Sequence, residues 1–164
     1  MRERRNHGQA SSTTDYVVAE QKGRLYPVIV AAAYALKRSP VWEYRRAPID
    51  PLPLCEHLEQ LAAQAAFFST DAVNARLDGL LAASVELANV ITVIHRRSRP
   101  GFRGAIDPRF HDDHQNALTT FDTAIRAFAA AARDDFGIPG TWHPITPRAA
   151  ALRLDRRLRR DATP

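Results

Sequence analysis

The chain of 164 residues is poor in cysteine, lysine and long apolar runs, and each shortage excludes something. Cys55 is the single cysteine, so no internal disulfide can form and a reducing compartment is expected. The longest apolar run, 25–36, contains Pro27 and is shorter than the roughly 20 residues that a membrane-spanning helix needs. Polar residues follow the N-terminal arginines where a secretory signal would become apolar. We therefore expect a cytoplasmic protein without a transmembrane span.

Lysine is scarce because arginine replaces it, and we interpret this as the coding bias of a GC-rich genome. The motifs of the common enzyme classes are also missing: there is no phosphate-binding loop, dinucleotide fingerprint, array of zinc ligands or nucleophile elbow. No region alternates apolar and polar residues with enrichment in β-branched side chains, so the pattern gives no support for β-structure. These absences favour an all-α protein and lean against an enzyme.

Positive charge is concentrated at the two ends of the chain, whose formal net charge is +5. Residues 1–14 contribute +2 and residues 147–164 contribute +4, which leaves 15–146 at −1. The polar segment 1–14 lacks an apolar period and predicts a disordered arm. Residues 140–164 predict a linker and a basic C-terminal arm, in which 147–160 could form a last helix without a clean apolar face.

The C-terminal arm is the place where an anionic partner would bind. Closely spaced arginines neutralise phosphates without reading sequence, and anionic lipid attracts the same charges. The partner would be a nucleic acid or an anionic membrane surface. The predicted contacts are Arg148, Arg153, Arg156, Arg157, Arg159 and Arg160.

The middle of the chain, 15–139, predicts four amphipathic helices packed as an antiparallel bundle, so the expected fold class is all-α. The first helix begins at Asp15 or, because Gly23 and Pro27 oppose a continuous helix, near Leu25. It ends at Ser39-Pro40. Its predicted apolar stripe is Val18, Leu25, Ile29, Ala32 and Leu36.

The next two helices have clearer starts and stripes. Asp50 and Pro51 are a good cap and first residue for the second helix, and Ser69-Thr70-Asp71 is a break and a new cap before the third. Apolar residues then recur at spacings of three and four, as on one face of a helix. The second stripe is Leu54, Leu58, Leu61, Ala65 and Phe68, and the third is Val73, Leu77, Leu80, Ser84, Leu87, Ile91 and Ile94.

The fourth helix is the best-specified element. Asp107 is expected to cap it and Pro108 to open it, while Gly137 and Pro139 close it. Its predicted stripe is Leu118, Phe121, Ile125, Phe128, Ala132 and Phe136.

The end of this helix carries a resemblance to a known group. The stretch FDTAIRAF, 121–128, runs into AARDDFGIP, 131–139. It resembles the final helix of small uncharacterised helical-bundle proteins of actinobacteria, in which A-F-x-x-A-A-R-x-D-L-G ends the bundle. The segment 67–73 is similar to their break between two helices, and Phe136 stands where leucine is usual. The resemblance covers about 54–139; it implies a helical bundle and brings no activity with it.

His111 and His114 are the candidate metal ligands. Both lie on the backward extension of the stripe of the fourth helix, one turn apart, and helical bundles hold transition metals with such pairs. A half-hydrated first turn, with Asp112 and Asp113 favoured near the helix N-terminus, is the more common explanation of this pattern. A third ligand would come from another helix, as His95, Glu56 or His57.

Other polar residues predict structure rather than chemistry. Cys55 is expected in the core beside two leucines, and a buried Ser84 would bond a carbonyl one turn back. Asp134 and Asp135 sit at a helix C-terminus, where acidic side chains are mildly unfavourable, and Arg133 is the nearest compensation.

The sequence thus predicts a non-catalytic helical interaction or scaffold module without a cofactor. Its partner would be another protein or a second copy, bound through the apolar face of the bundle. The alternative is a binder of an anionic polymer or membrane surface through the C-terminal arm. A metal-dependent bundle enzyme is the third hypothesis.

Overall fold

The computed structural model describes residues 4–43 and 47–143, of which 4–13 are described by their backbone alone. This part of the chain forms four α-helices and no β-strand: α1 (Arg4–Arg38), α2 (Leu52–Ala66), α3 (Asp71–Arg97) and α4 (His111–Asp135). The closest pairs are α3 with α4 and α1 with α2, while α2–α3 and α1–α4 pack more lightly. The prediction of an all-α, antiparallel four-helix bundle is confirmed.

Helix α1 is continuous through Gly23 and Pro27, so a start near Leu25 is wrong. It begins at Arg4 and thus includes most of the segment that the sequence predicts as an arm. The sequence of this segment has no apolar stripe that would predict a helix, but no proline stands before position 27, so its backbone can be helical. Pro27 removes one backbone hydrogen bond at a cost of about 3 kcal/mol, which tertiary packing of the same helix offsets.

The buried side of α1 is rotated slightly from the predicted stripe. Tyr26 and Ala33 are buried where Leu25 and Ala32 were expected, and the latter two are half-buried at the edge of the core. Ile29 and Leu36 are buried as predicted. The spacing of three and four is therefore kept while its register moves by one residue, because Tyr26 has polar partners that make its burial favourable.

Helix α3 matches its prediction in full. All seven stripe residues, including the polar Ser84, are buried, and Ala83 joins them. The Ser84 hydroxyl donates to the Leu81 carbonyl at 2.7 Å, which satisfies the buried hydroxyl as expected. Cys55 of α2 is also buried and lies 3.8 Å from the Ser84 carbonyl, so its thiol is part of the α2–α3 contact.

The ends of the other two stripes are less buried than the sequence predicts. Leu54 and Phe68 of the α2 region and Leu118 of α4 are half-buried, and Phe136 is 37% exposed. In place of these larger side chains, three alanines are buried in the interior, namely Ala62, Ala117 and Ala129. The centre of the core is built as predicted, since Leu58, Phe121 and Phe128 are fully buried.

Two predicted caps, Asp50 and Asp107, bond backbone amides, whereas α3 begins at Asp71 after Thr70 without a side-chain cap bond. The Asp50 carboxylate accepts from the Leu52 amide at 3.0 Å. The Asp107 carboxylate likewise accepts from the Arg109 amide, although the turn it caps is a 3-10 turn, Pro108–Phe110, which leads into α4. After α4, Gly137 takes a φ of 64°, and the amides that follow bond carbonyls of the last turn in a Schellman-type ending.

The connection between α1 and α2 contributes to the core. Val41 and Trp42 are buried, and His95 of α3 bonds the Val41 carbonyl through Nε2 at 2.7 Å while its ring lies 4.7 Å from that of Trp42. Gly104, at a φ of 80°, lets the connection between α3 and α4 pass close to Trp42. One end of the bundle is thus closed by this loop.

Candidate functional site

The outward side of α3 is an exposed helix face that carries apolar side chains. An 18-residue stretch of α3 is long and apolar enough to cross a membrane by length and composition alone, yet 39% of that stretch is buried within the bundle. Val85 and Val93 are 44% and 40% exposed. The core of the bundle therefore does not account for all the apolar character of this helix.

The exposed residues of α3 repeat with heptad-like spacing. Steps of three and four residues connect them along a single stripe opposite the core, which is the pattern of a helix that packs against another helix. We call this stripe the α3 outer face; it consists of Ala75, Asp78, Ala82, Val85, Asn89, Val93 and Arg96. Its small side chains would allow a second helix to approach closely.

Charge along the α3 outer face is asymmetric. Asp78 lies in the N-terminal half, with Asp71 beyond it, whereas Arg96 and Arg97 lie at the C-terminal end. These charges complement the helix dipole, since acids are stabilised at helix N-termini and cations at C-termini. The same asymmetry makes the face complementary to an antiparallel copy of itself.

A polar cluster lies at the end of the bundle opposite the Trp42 loop, and the sequence pattern does not predict it. Asp135 has a side chain only 5% exposed, and its Oδ2 atom accepts from Lys22 Nζ at 2.8 Å and from the Tyr26 hydroxyl at 2.9 Å. The Tyr26 oxygen also lies 3.0 Å from Ser69 Oγ, and Thr70 bonds Asp135. We call this cluster, Lys22, Tyr26, Ser69, Thr70 and Asp135, the polar clasp.

The polar clasp explains why an acidic residue occupies the C-terminal end of α4. Burial raises the pKa of Asp135, but the hydrogen bonds from Lys22, Tyr26 and Thr70 and the charge of Lys22 outweigh it, so the pKa lies below its ordinary value. Burial is also the main cause that raises the pKa of Tyr26 to about 12, so its hydroxyl stays protonated. The cluster therefore connects α1, the α2–α3 turn and α4 through a protonated Tyr26 hydroxyl and an ionised Asp135 carboxylate.

The predicted metal ligands His111 and His114 lie close together, but no third ligand among the described side chains completes a metal site. His111 is exposed and His114 is half-buried in the first turn of α4. Burial, and then the neighbouring His111, lower the pKa of His114. Of the predicted third ligands, His95 is engaged by the Val41 carbonyl, and Glu56 and His57 are exposed on α2.

No three metal-ligating side chains come together among residues 14–43 and 47–143, whose side chains the structure describes. The arrangement of His111 and His114 matches a half-hydrated first turn, and the metal hypothesis stays a prediction from the sequence.

The arginines predicted to contact an anionic partner, Arg148 to Arg160, lie outside the described residues, and so does the predicted helix 147–160.

Trp142, in the segment after α4, packs against the bundle. It is half-buried against the core, and its ring lies 6.2 Å from that of Tyr34 on α1.

Comparison of the chain with protein-family models, with curated proteins and with solved structures finds no match, so the resemblance to actinobacterial bundle proteins stays a prediction.

Proposed function

We propose that the protein is a non-catalytic helical interaction module that pairs with a second copy of itself through the α3 outer face. The observation that carries this proposal is the apolar and regularly spaced stripe on the exposed side of α3, which the bundle itself leaves uncovered. A helix of 27 residues is about 40 Å long, which is enough for several heptads of contact between two copies.

An antiparallel arrangement of the two α3 helices fits the charges of the face. If Asp78 lies beside Arg96 of a second copy, two-fold symmetry forms the same pair twice. Val85 then lies beside Asn89 of the second copy, at the centre of the contact. Exposed ion pairs contribute only about 0–1 kcal/mol each, so these charges set orientation and register while the apolar stripe supplies affinity.

A lipid bilayer is a poorer partner for the same face. Asp78, Glu86 and Arg96 all lie on the exposed side of α3, and a charged residue near the centre of a membrane-spanning helix costs about 2.5–3.5 kcal/mol. A second helix can pair with these charges, whereas hydrocarbon cannot. We propose a cytoplasmic location for the dimer, in keeping with the buried free thiol of Cys55.

Sedimentation of the full chain tests the proposal. The unmodified protein is expected to sediment with twice the 18.3 kDa mass of one chain. The variant Ala82→Arg places a long cation within the contact on both copies, one helical turn from Val85 at its centre, and is expected to sediment as a monomer. A wild-type protein that stays monomeric across the concentration range would contradict the proposal.

The matched control is Ala63→Arg on α2, where an alanine that is also exposed lies outside the α3 outer face. This variant is expected to remain dimeric. Circular dichroism of both variants shows whether the bundle is intact, because neither alanine is buried. If Ala63→Arg dissociates the dimer as strongly as Ala82→Arg, the contact involves α2 and the assignment to α3 is wrong.

A further inference from the structure

A groove between α1 and α4 is independent of the α3 outer face and has the composition of a ligand site. These two helices make the lightest contact among neighbouring pairs in the bundle, and the segment after α4 folds back over the gap. The groove has a volume of about 520 Å³, within the range of small-molecule sites. Its walls are mainly apolar, and the side chains that matter most are Tyr26, Pro27, Val30, Phe136, Ile138 and Trp142.

One end of the groove is cationic. Tyr34, Arg38 and Arg133 line it, next to Val30 and Trp142, which also belong to the apolar part. The Arg38 guanidinium lies 5.2 Å from the centre of the Tyr34 ring. The nearby Asp122 carboxylate is paired with Lys37 and with Arg126.

Two buried hydrogen-bond donors at this end have no partner within the described residues. They are the Tyr34 hydroxyl and Arg133 Nε, although the same guanidinium donates to the Pro139 carbonyl through Nη2 at 2.8 Å. A buried donor without a partner costs about 1–3 kcal/mol, and more when it is charged. A ligand that brings an anionic acceptor would remove this cost.

We propose that the α1–α4 groove binds an apolar monocarboxylate, with the carboxylate held by Tyr34 and Arg133 and the apolar body between Val30, Phe136 and Trp142. The unpaired donors are the Tyr34 hydroxyl and Arg133 Nε, and the Arg38 guanidinium lies beside them. Donors next to positive charge favour an anionic acceptor over a neutral one. The apolar walls select a hydrocarbon or aromatic body. Phosphate esters of the same size would bring a second charge that a groove with one buried guanidinium does not match.

Calorimetric titration of the full chain with decanoate and with decanol tests the inference. The two probes share their hydrocarbon chain and differ in the head group. Decanoate is expected to bind at one site per chain and at least tenfold more tightly than decanol, a difference of about 1.4 kcal/mol. Equal affinities for decanoate and decanol would overturn the proposal. The absence of saturable decanoate binding would also overturn it, unless 2-naphthoate binds instead. Binding of 2-naphthoate alone would assign an aromatic acid, and binding of neither acid ends the proposal.

Variants locate the site. Arg133→Gln is expected to weaken decanoate binding at least tenfold without changing decanol binding, and Arg38→Gln to weaken it less. The matched control is Arg76→Gln, an exposed arginine of α3 outside the groove, which should leave both affinities unchanged. In a Trp42→Phe background Trp142 is the only tryptophan, and its fluorescence should change along the same titration curve. If Arg76→Gln and Arg133→Gln weaken binding equally, decanoate responds to net charge and not to this groove.

Discussion

Asp135→Asn is the change that tests the polar clasp most sharply. It removes the negative charge from a nearly buried ion pair while keeping the size of the side chain, so Lys22 is left as a cation with 14% of its side chain exposed and no counter-charge. Breaking one partner of a buried pair costs about 3–5 kcal/mol. Since the asparagine can still bond Tyr26 and Thr70, we expect a loss near the lower end, about 3 kcal/mol.

Thermal unfolding followed by circular dichroism measures this loss. For a chain of this size 1 kcal/mol corresponds to about 2–4 °C in Tm, so Asp135→Asn should lower Tm by about 6–12 °C. Asp134→Asn is the matched control, because the neighbouring carboxylate is exposed and should change stability by less than about 0.5 kcal/mol. Equal losses in the two variants would refute the clasp as described.

The pH dependence of the same variant supplies an independent check. The pKa of Asp135 is lowered in the folded protein, so its contribution to stability is complete above its unfolded pKa of about 3.9 and is lost as the pH falls towards the folded pKa. The difference in unfolding free energy between wild type and Asp135→Asn should therefore shrink below about pH 4. A difference that stays constant down to pH 2 would show that the carboxylate charge is not responsible.

Three further predictions concern the bundle itself. Phe128→Ala should cost about 3–5 kcal/mol in urea unfolding, whereas Phe136→Ala, at 37% exposed, should cost well under half of that; equal costs would contradict the assigned core. Pro27→Ala should stabilise the protein by about 1–3 kcal/mol because it restores a backbone hydrogen bond inside α1, and a loss of stability would mean that α1 bends at this residue. The pKa of His114 is lowered chiefly by burial, so wild-type stability should fall as the pH drops below about 6.5, and this fall should be smaller in His114→Gln.

The sequence predicts the parts of the fold that rest on local chemistry. The strict spacing from Val73 to Ile94 identifies the buried face of α3, and the aspartates before α2 and α4 cap the turns that begin them. Gly137 ends α4 because only a residue without a β-carbon takes its positive φ at little cost.

The features that the sequence leaves unpredicted depend on contacts between distant segments. Asp135 appears unfavourable in its own helix and becomes favourable only when Lys22 and Tyr26, more than a hundred positions earlier, are placed beside it. The same polar partners explain why Tyr26 and not Leu25 is buried in α1. The cationic end of the α1–α4 groove likewise requires Tyr34 and Arg133 to meet across two helices, which no local pattern indicates.

Charge reversal across the α3 outer face tests the central claim most directly. Asp78→Arg and Arg96→Asp each place like charges together at both symmetry-related positions of the proposed antiparallel contact, and each single variant should raise the dissociation constant of the dimer about tenfold. The double variant restores opposite charges in exchanged positions and should sediment as a dimer, with twice the 18.3 kDa mass of one chain. A double variant that stays monomeric while its bundle is folded, or single variants that dimerise as tightly as the wild type, would contradict the account.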